Sequence, residues 1–387
     1  MRNTKWIAAL AAGAVLASVG AEASTGVAAG TPPTICRTAK IAFMGPLTGD
    51  AGAFGSEQLA WAEYAVKVFD KTHGTHYGLY RGDTQLDPAL AATLSGKYVA
   101  DKRVLAIVGP STSSGVASSA ATLNAANLAA ISPSATRTSL TVGPEAIGRF
   151  FFRTVPNDSV QAPSVAAFVV AQLKAKKVYV IDDQESYSLG LADSVSTILK
   201  GRRVTVARDS VTQATVDFAS IIARIPADTG VVFIPWQQPL RAEAFAEQLA
   251  AAGKKAKVIG SDLTSSPEQF RAPGAYVSDS TPNLVATGQS RALVAGYLAL
   301  HPGEKVGRSG PPAYGATQLA LTAIFNACKA GKGRTTRVRV LKAIPQVRLK
   351  SWILGGAWKG FSRSQDPLGA KFSIFEIQSD GSYKLVG

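Results

Sequence analysis

Short apolar runs alternate along most of the 387-residue chain with longer segments whose apolar residues recur three and four positions apart. The runs at 40–45 (KIAFMG), 77–83, 104–109 (VLAIVG), 128–132 (LAAIS), 177–182 (KVYVID), 204–209, 231–236 (VVFIPW) and 257–261 (KVIGS) predict strands. Between them the spacing predicts helices over 56–70, 88–102, 160–176 and 240–253. Strands alternating with helices of roughly 10–15 residues build βαβ units, which makes the fold class α/β, with parallel-type sheets flanked by helices.

The alternation breaks near 150–158 (FFFRTVPND), with one set of units before it and a second set from about 160 to 280. Two further helical patterns, around 289–300 and 313–331, are too little for a third domain, and the tail again predicts strands at 351–356, 371–378 and 383–386. The economical solution is two lobes with a cleft between them, the chain crossing over several times. The first lobe takes 38–154 and 282–350, the second takes 155–281, and 351–387 crosses over and ends in the second.

Polar residues stand where strands give way to helices, and the densest case is 131–139 (ISPSATRTS). It holds Ser132, Ser134, Thr136, Thr138 and Ser139 with one charge, Arg137. Turn chemistry alone explains many such residues. A sharper reading is a site whose hydroxyls and backbone N–H groups receive an oxygen-rich ligand, because open α/β sheets bind ligands beyond the carboxyl ends of their strands.

Composition adds the compartment. MRNTK, a 15-residue apolar run and Ala21-Glu22-Ala23 read as a secretory signal peptide over 1–23, followed by a flexible lead over 24–37. The apolar run is short for a membrane span, which needs roughly 20 residues. An exported protein of the periplasm or cell envelope is therefore expected. Lys plus Arg number 41 against 26 Asp plus Glu, but the basic residues form short clusters without interleaved aromatics, so a solvated basic face is expected and no nucleic-acid partner. Only Cys36 and Cys328 are present. Export permits them to pair, and a loop that long would contribute at most about 5 kcal/mol in the chain-entropy model; two free buried thiols are the alternative.

Enzymatic chemistry is poorly supplied. There are three histidines, His73, His76 and His301, and no G-x-S-x-G nucleophile pattern. Gly331-Lys-Gly-Arg-Thr335 lacks the spacing of a phosphate loop, and Gly49–Gly55 lacks that of a dinucleotide turn. His73 and His76 have no acidic or cysteine neighbour to complete a metal site. Arg81-Gly-Asp83 needs no adhesive role, and Asn157-Asp-Ser159 is a short glycosylation pattern with a high chance rate. Neither a metal nor a cofactor is expected.

Six blocks, 40–55 (KIAFMGPLTGDAGAFG), 86–88 (LDP), 108–115 (VGPSTSSG), 131–136 (ISPSAT), 180–190 (VIDDQESYSLG) and 259–262 (IGSD), resemble in order and spacing the periplasmic solute-binding proteins of the branched-chain amino acid (Leu/Ile/Val-binding) family. The resemblance covers roughly 38–387. It implies two Rossmann-like lobes joined by three crossovers, hinge closure on a ligand and delivery to an ABC-type permease, with the protein acting as a monomer. It also implies that Ser113 and the loop of Ser134, Ala135 and Thr136 hold an α-carboxylate. Asp262 would balance the ammonium, and Phe54 and Tyr187 would wall the pocket from opposite lobes. Trp236 and Gln237 occupy a strand end where the family often has aromatic residues, and an amide there could hydrogen-bond a polar ligand group.

Physical chemistry agrees with this distribution. A buried carboxylate without a full countercharge needs several donors, and an ammonium needs acceptors, ideally one ionised carboxylate. The residues keep plainer alternatives: Ser113 and Thr136 as caps and turn residues, Asp262 as a cap of the segment at 264, and Phe54 and Tyr187 as core aromatics. Two other functions fit the chain, a sensory module of the same fold and a secreted hydrolase with an unrecognised serine or acid site. The missing histidine partners argue against the hydrolase.

Overall fold

The protein is described by a computed structural model covering residues 34–288 and 290–387, so the expected signal peptide and most of the lead lie outside the described residues. A short antiparallel ribbon joins β1 (Thr34–Ile35) to β12 (Arg334–Thr335), a strand far along the chain. The first βα units then follow in order: β2 (Lys40–Phe43), α1 (Gly52–His73), β3 (Gly78–Tyr80), α2 (Pro88–Ala100), β4 (Val104–Val108), α3 (Ser113–Ala125), β5 (Ala129–Ser132) and β6 (Phe151–Arg153). Their strands form a five-stranded sheet in the order β3-β2-β4-β5-β6, parallel throughout.

The second set is α4 (Asp158–Ala171), β7 (Lys177–Asp182), α5 (Ser186–Gly201), β8 (Thr205–Ser210), α6 (Ala219–Arg224), β9 (Val231–Ile234), α7 (Pro239–Ala251), β10 (Lys257–Gly260) and β11 (Tyr276–Asp279). After it come α8 (Leu284–Thr287), α9 (Arg291–Leu300), α10 (Gly310–Ala330) and α11 (Arg337–Ala343), and the chain closes with β13 (Ser373–Ile377) and β14 (Tyr383–Leu385). The second sheet runs β14-β13-β11-β10-β9-β7-β8. It is mixed, because β13 pairs antiparallel with both β11 and β14.

Each lobe is closed on both faces of its sheet, and the alternation of side chains along each strand shows it. Ile41 and Phe43 join one buried cluster with helix α10, while Ala42 and Met44 join the opposite cluster under α2 and α3. In the second lobe Val232 and Ile234 face one core and Val231 and Phe233 the other. Helix α10 packs on α1 and on β4, so the chain returns to the first sheet after β11. The two sheets are thus linked after β6, after β11 and before β13. No described helix is long and apolar enough to cross a membrane.

Three expectations change. The strand predicted at 351–356 is a turn, in which the Trp352 N–H donates to Gly356 O at 2.8 Å. Gly355 and Gly356 have φ of +115° and +66°, which end extended backbone, while Trp352 is buried beside Trp358. The strand predicted at 77–83 shortens to 78–80. Strands β6 and β11 arise from segments that the pattern gave to connections, because the pairing that makes them strands comes from β5 and β10. The sulfur atoms of Cys36 and Cys328 are bonded, tying the turn before β2 to α10 across 292 residues of sequence.

Candidate functional site

On the first lobe the site begins with loops that follow three parallel strands. A Cβ on Gly55 would lie 1.8 Å from Pro46 O, so glycine lets the loop after β2 lie against the start of α1 and holds Phe54 at the lobe edge. Thr112 caps α3, its Oγ1 accepting from the Gly115 N–H at 3.2 Å. Ser113, the first residue of that helix, is buried, and its hydroxyl accepts from the Arg137 N–H at 3.3 Å.

The loop after β5 is stitched from below by neutral groups. Ser134 Oγ donates to Ser111 O at 2.6 Å and accepts from Gln58 Nε2 at 3.0 Å, while Gln58 Oε1 accepts from Ser111 Oγ at 2.6 Å. Gln58 is fully buried on α1, so its amide fixes two loops at once. Ala135 donates its N–H to Ser132 Oγ at 2.9 Å, and its carbonyl accepts from Arg153 Nη1 at 2.8 Å. Arg153 also reaches Arg137 O at 3.1 Å and forms an ion pair with Asp366 at 2.6 Å. Asp366 in turn accepts from Asn157 Nδ2 at 3.1 Å, so the crossover near 366 holds both the 135–137 loop and the cap of α4.

The second lobe contributes acids. Asp262 opens a 3-10 turn after β10, and its Oδ1 accepts from the Tyr187 hydroxyl at 2.5 Å and from Gln161 Nε2 at 2.8 Å. Asp158, the first residue of α4, donates its N–H to Thr136 O at 2.9 Å, which places it directly beside the first lobe's loop. Asp158 and Gln161 lie one turn apart on one face of α4. Among the described residues Gln161 Oε1 is buried without a hydrogen-bond partner, and the buried Thr136 hydroxyl and Asp158 carboxylate find none beyond each other.

These acids are costly to ionise. Burial and the nearby Asp262 push Asp158 up to about 7, against the opposing pull of Thr136, Arg153 and Arg137. Burial likewise raises Asp262 to about 6, the hydrogen bonds from Tyr187 and Gln161 working the other way. The Tyr187 phenol is raised well above its usual value by burial and by the same acids. Nothing comparable acts on the first lobe's hydroxyls, which do not titrate in this range.

The lobes touch. Arg137 Nη1 donates to Ser186 Oγ at the start of α5 at 2.6 Å, and Phe54 packs against the second lobe's core cluster, which includes Tyr187 and Leu263. A cavity of about 720 Å³ opens between them, lined by Phe54, Glu57, Asp262, Leu263, Ser265 and Ser309 among others. Glu57 accepts from Ser309 Oγ at 2.5 Å and from the Gly310 N–H at 3.1 Å, and burial raises its carboxyl.

The sequence-predicted residues fall into groups. Thr136 and Asp262 meet around Asp158, with Tyr187 bonded to Asp262; Phe54 and Asp262 line the cavity, while the other seven predicted ligand residues do not. Ser113 and Ser134 use their hydroxyls on neighbouring loops. Trp236 is part of the second lobe's core, stacked 5.4 Å from Phe218, with its indole N–H donated to Ile181 O at 2.8 Å, so its ring serves packing and not the cleft wall. Gln237 is buried, and its Oε1 is without a partner among the described residues. Pattern reading missed Asp158, Gln161, Gln58 and Arg153. An acid in the first turn of a helix reads as a cap, and a glutamine inside an amphipathic helix carries no signal of its own.

Comparison with known proteins gives a consistent picture. A Leu/Ile/Val-binding protein homolog of Brucella melitensis is 30% identical over 268 residues, covering 66% of this chain and 72% of that protein. The leucine-, isoleucine-, valine-, threonine- and alanine-binding protein of Pseudomonas aeruginosa is 25% identical over 361 residues, 89% of this chain and 91% of its own. The fold matches that of the substrate-binding protein LivJ of Streptococcus pneumoniae, solved with isoleucine, at a TM-score of 0.77 and 22% identity over 90% of this chain and 99% of that one. It also matches a solute-binding protein of R. palustris solved with benzoate, at a TM-score of 0.77 and 17% identity over 90% of this chain and 95% of that one. A family model described as periplasmic binding protein matches residues 38–382, and with two closed α/β lobes meeting at loops beyond their strand ends, the chain belongs to the periplasmic binding protein family.

Proposed function

We propose that this is an exported binding protein, with no catalytic role, that captures an α-amino acid between its lobes and presents the closed form to an ABC-type permease. The carrying observation is the group of buried acceptors that, among the described residues, are short of donors where the lobes meet: Gln161 Oε1 and the Asp158 carboxylate, the latter with only the Thr136 hydroxyl beside it, next to Asp262. An ammonium group supplies the donors this group wants, and its charge offsets the cost of two acids in one buried site. The ligand carboxylate would lie toward Ser113 and the backbone of 134–136, where α3 begins and negative charge is favoured. Ser134 then acts through loop geometry, since its hydroxyl is committed to Ser111 and Gln58.

The division into a first lobe over 38–154 and 282–350 and a second over 155–281 with the tail of 351–387 is part of this reading. The names of the Brucella and Pseudomonas relatives support an amino-acid ligand, and the benzoate complex shows that a neighbour of this fold takes a carboxylate without an ammonium. The hydrolase reading lacks support: among the described residues no histidine is hydrogen-bonded to a serine, and His73 Nδ1 faces Phe69 O. Calorimetry on residues 24–387 with α-amino acids, their des-amino analogues and benzoate tests the proposal. Binding of amino acids that fails for the des-amino analogues is the expected result. Equal binding of both would remove the acids' role, and binding of benzoate alone would replace the amino-acid ligand.

A further inference from the structure

The end of the first lobe opposite the cleft carries charge of one sign. Between Glu304 and Asp366 the sequence holds Lys or Arg at twelve positions and no acid. Folding gathers part of this segment with cations from elsewhere in the chain. The disulfide from Cys36 to Cys328, the pairing of β1 with β12 and the bond from the Cys36 N–H to Gly333 O at 3.0 Å bring Arg37 beside Lys329, Lys332 and Arg334. Arg337, the first residue of α11, donates to the carbonyls of Val104 and Asp101 at 2.9 Å each, which docks the first turn of that helix, with Arg339, on the turn of Lys102 and Arg103. The Lys40 N–H donates to Arg103 O at 2.8 Å, so this turn lies beside the start of β2. These groups all stand beyond the amino ends of β2 and β4, whereas the candidate site lies beyond the carboxyl ends.

Arg37, Lys329, Lys332, Arg334, Arg339 and Lys342 are exposed, and among the described residues none of the six forms a salt bridge. The acids at this end are committed: Asp101 is paired with Arg103 at 2.7 Å, and Asp70 accepts from Thr75 Oγ1 at 2.6 Å and from the Tyr77 N–H at 3.1 Å. Arg337, the buried cation of the set, spends its donors on carbonyls, so what the rim offers an anion is a spread of exposed charges. Such a spread suits a plane carrying many charges better than one small anion. Residues 329–342 contain no aromatic ring on which a base could stack. Val338, between two arginines on α11, is 41% exposed, an apolar side chain where a lipid interface would receive one. Residues 1–33, outside the described residues and containing the apolar run of the expected signal, join the fold at β1 on this same rim.

We infer that this rim of the first lobe is a docking surface for an anionic phospholipid bilayer, with Lys332, Arg334 and Arg339 among the cations that meet the headgroups and Val338 at the interface. The inference rests on export and not on which ligand the cleft takes. Docking by the rim keeps the protein at the membrane and leaves the cleft, at the other end of the sheet, open to solution. The contact is reversible, because exposed charges attract headgroups over about 10 Å at moderate salt and are screened at higher salt.

Flotation of residues 24–387 with vesicles of phosphatidylcholine alone, and of phosphatidylcholine mixed with phosphatidylglycerol, tests this. Three proteins are compared: the wild type, a rim variant combining Lys332→Gln, Arg334→Gln and Arg339→Gln, and a control of equal charge combining Lys200→Gln, Arg202→Gln and Lys255→Gln at exposed positions of the second lobe. A thermal melt of each confirms folding. At low salt the wild type is expected to partition onto the acidic vesicles at least about thirtyfold more than onto neutral ones, and to leave them at about 0.5 M salt. The rim variant should bind the acidic vesicles at least about tenfold more weakly than the wild type, and the control less than about threefold more weakly. Equal loss in the two variants would assign the binding to net charge and overturn the role of the rim. Equal partition onto both vesicles, or onto neither, would overturn the membrane as partner. Binding to soluble polyphosphate as tight as to acidic vesicles would replace the bilayer with an acidic polymer. The wild-type comparison of vesicles and salt stands even if the rim variant does not fold.

Discussion

The two halves of the candidate site solve the same problem in opposite ways. On the first lobe Ser111, Ser134 and Gln58 satisfy one another through neutral hydrogen bonds, and Arg153 clamps the carbonyls of Ala135 and Arg137. On the second, among the described residues, Gln161 and Gln237 hold buried acceptors without partners, Asp158 has only the Thr136 hydroxyl beside it, and Asp158 and Asp262 have carboxyls raised to about 7 and about 6. On the proposed reading the first half is organised before ligand arrives and the second is satisfied by it. A binding site needs both, because rigid donors fix orientation, while unmet acceptors make the ligand-bound closed state preferred over the empty one.

The contrast breaks most sharply at the clamp. Arg153→Met should destabilise the protein by about 3–5 kcal/mol in chemical denaturation, since it leaves Asp366 without its buried partner. The effect should appear with and without ligand, because the clamp belongs to the organised half. Asp262→Ala should cost about 2–4 kcal/mol of amino-acid binding free energy in calorimetry. Its melting temperature without ligand should change little by comparison.

Asp158→Asn separates the halves through pH. The folded Asp158 holds its proton to about 7, whereas the unfolded chain releases it near the usual carboxylate value of about 4. The unfolded state therefore binds fewer protons between those values, and this residue's contribution lowers stability as pH rises from about 4 to about 7, then levels off. The variant should be more stable than the parent by about 1–3 kcal/mol at pH 8 without ligand, the gain vanishing as pH falls to about 4. Amino-acid binding should weaken in the same variant. Equal stability at every pH would mean that Asp158 carries no cost of charge.

The smallest effect is expected at Ser134. Ser134→Ala removes two hydrogen bonds inside the organised half, which predicts a loss of about 1–2 kcal/mol in stability and only a few-fold change in affinity. A large loss of affinity with unchanged stability would show that its hydroxyl meets the ligand directly.

Much of this was legible in periodicity. The alternation of apolar runs with 3-and-4 spacing marked β2, β4, β5, β7, β9 and β10, whose residues face a core on both sides and so read as continuous apolar segments. Strands β6 and β11 were hidden because their sequences, FFR and YVSD, carry a charge at the end and run into polar segments, so that only the ladders to β5 and β10 mark them as strands. The hydroxyl-rich loop 131–139 signalled a site by composition. Trp236 misled, since an aromatic at a strand end can face the cleft or the core, and here its indole N–H found a carbonyl inside.

The sequence by itself determined the layered α/β architecture, the polar character of the loops at the strand ends and the presence of Thr136 and Asp262 on opposite lobes, because these follow from local patterns of side chains. Only the tertiary structure decided that Asp158 and Gln161 join them, that Ser113 and Ser134 spend their hydroxyls on neighbouring loops, and that Gln237 is buried, its carbonyl without a partner among the described residues. Burial and hydrogen-bond partnership are properties of what surrounds a residue, and those surroundings come from segments as distant as Gln161 and Asp262, or Arg153 and Asp366, that meet only after folding.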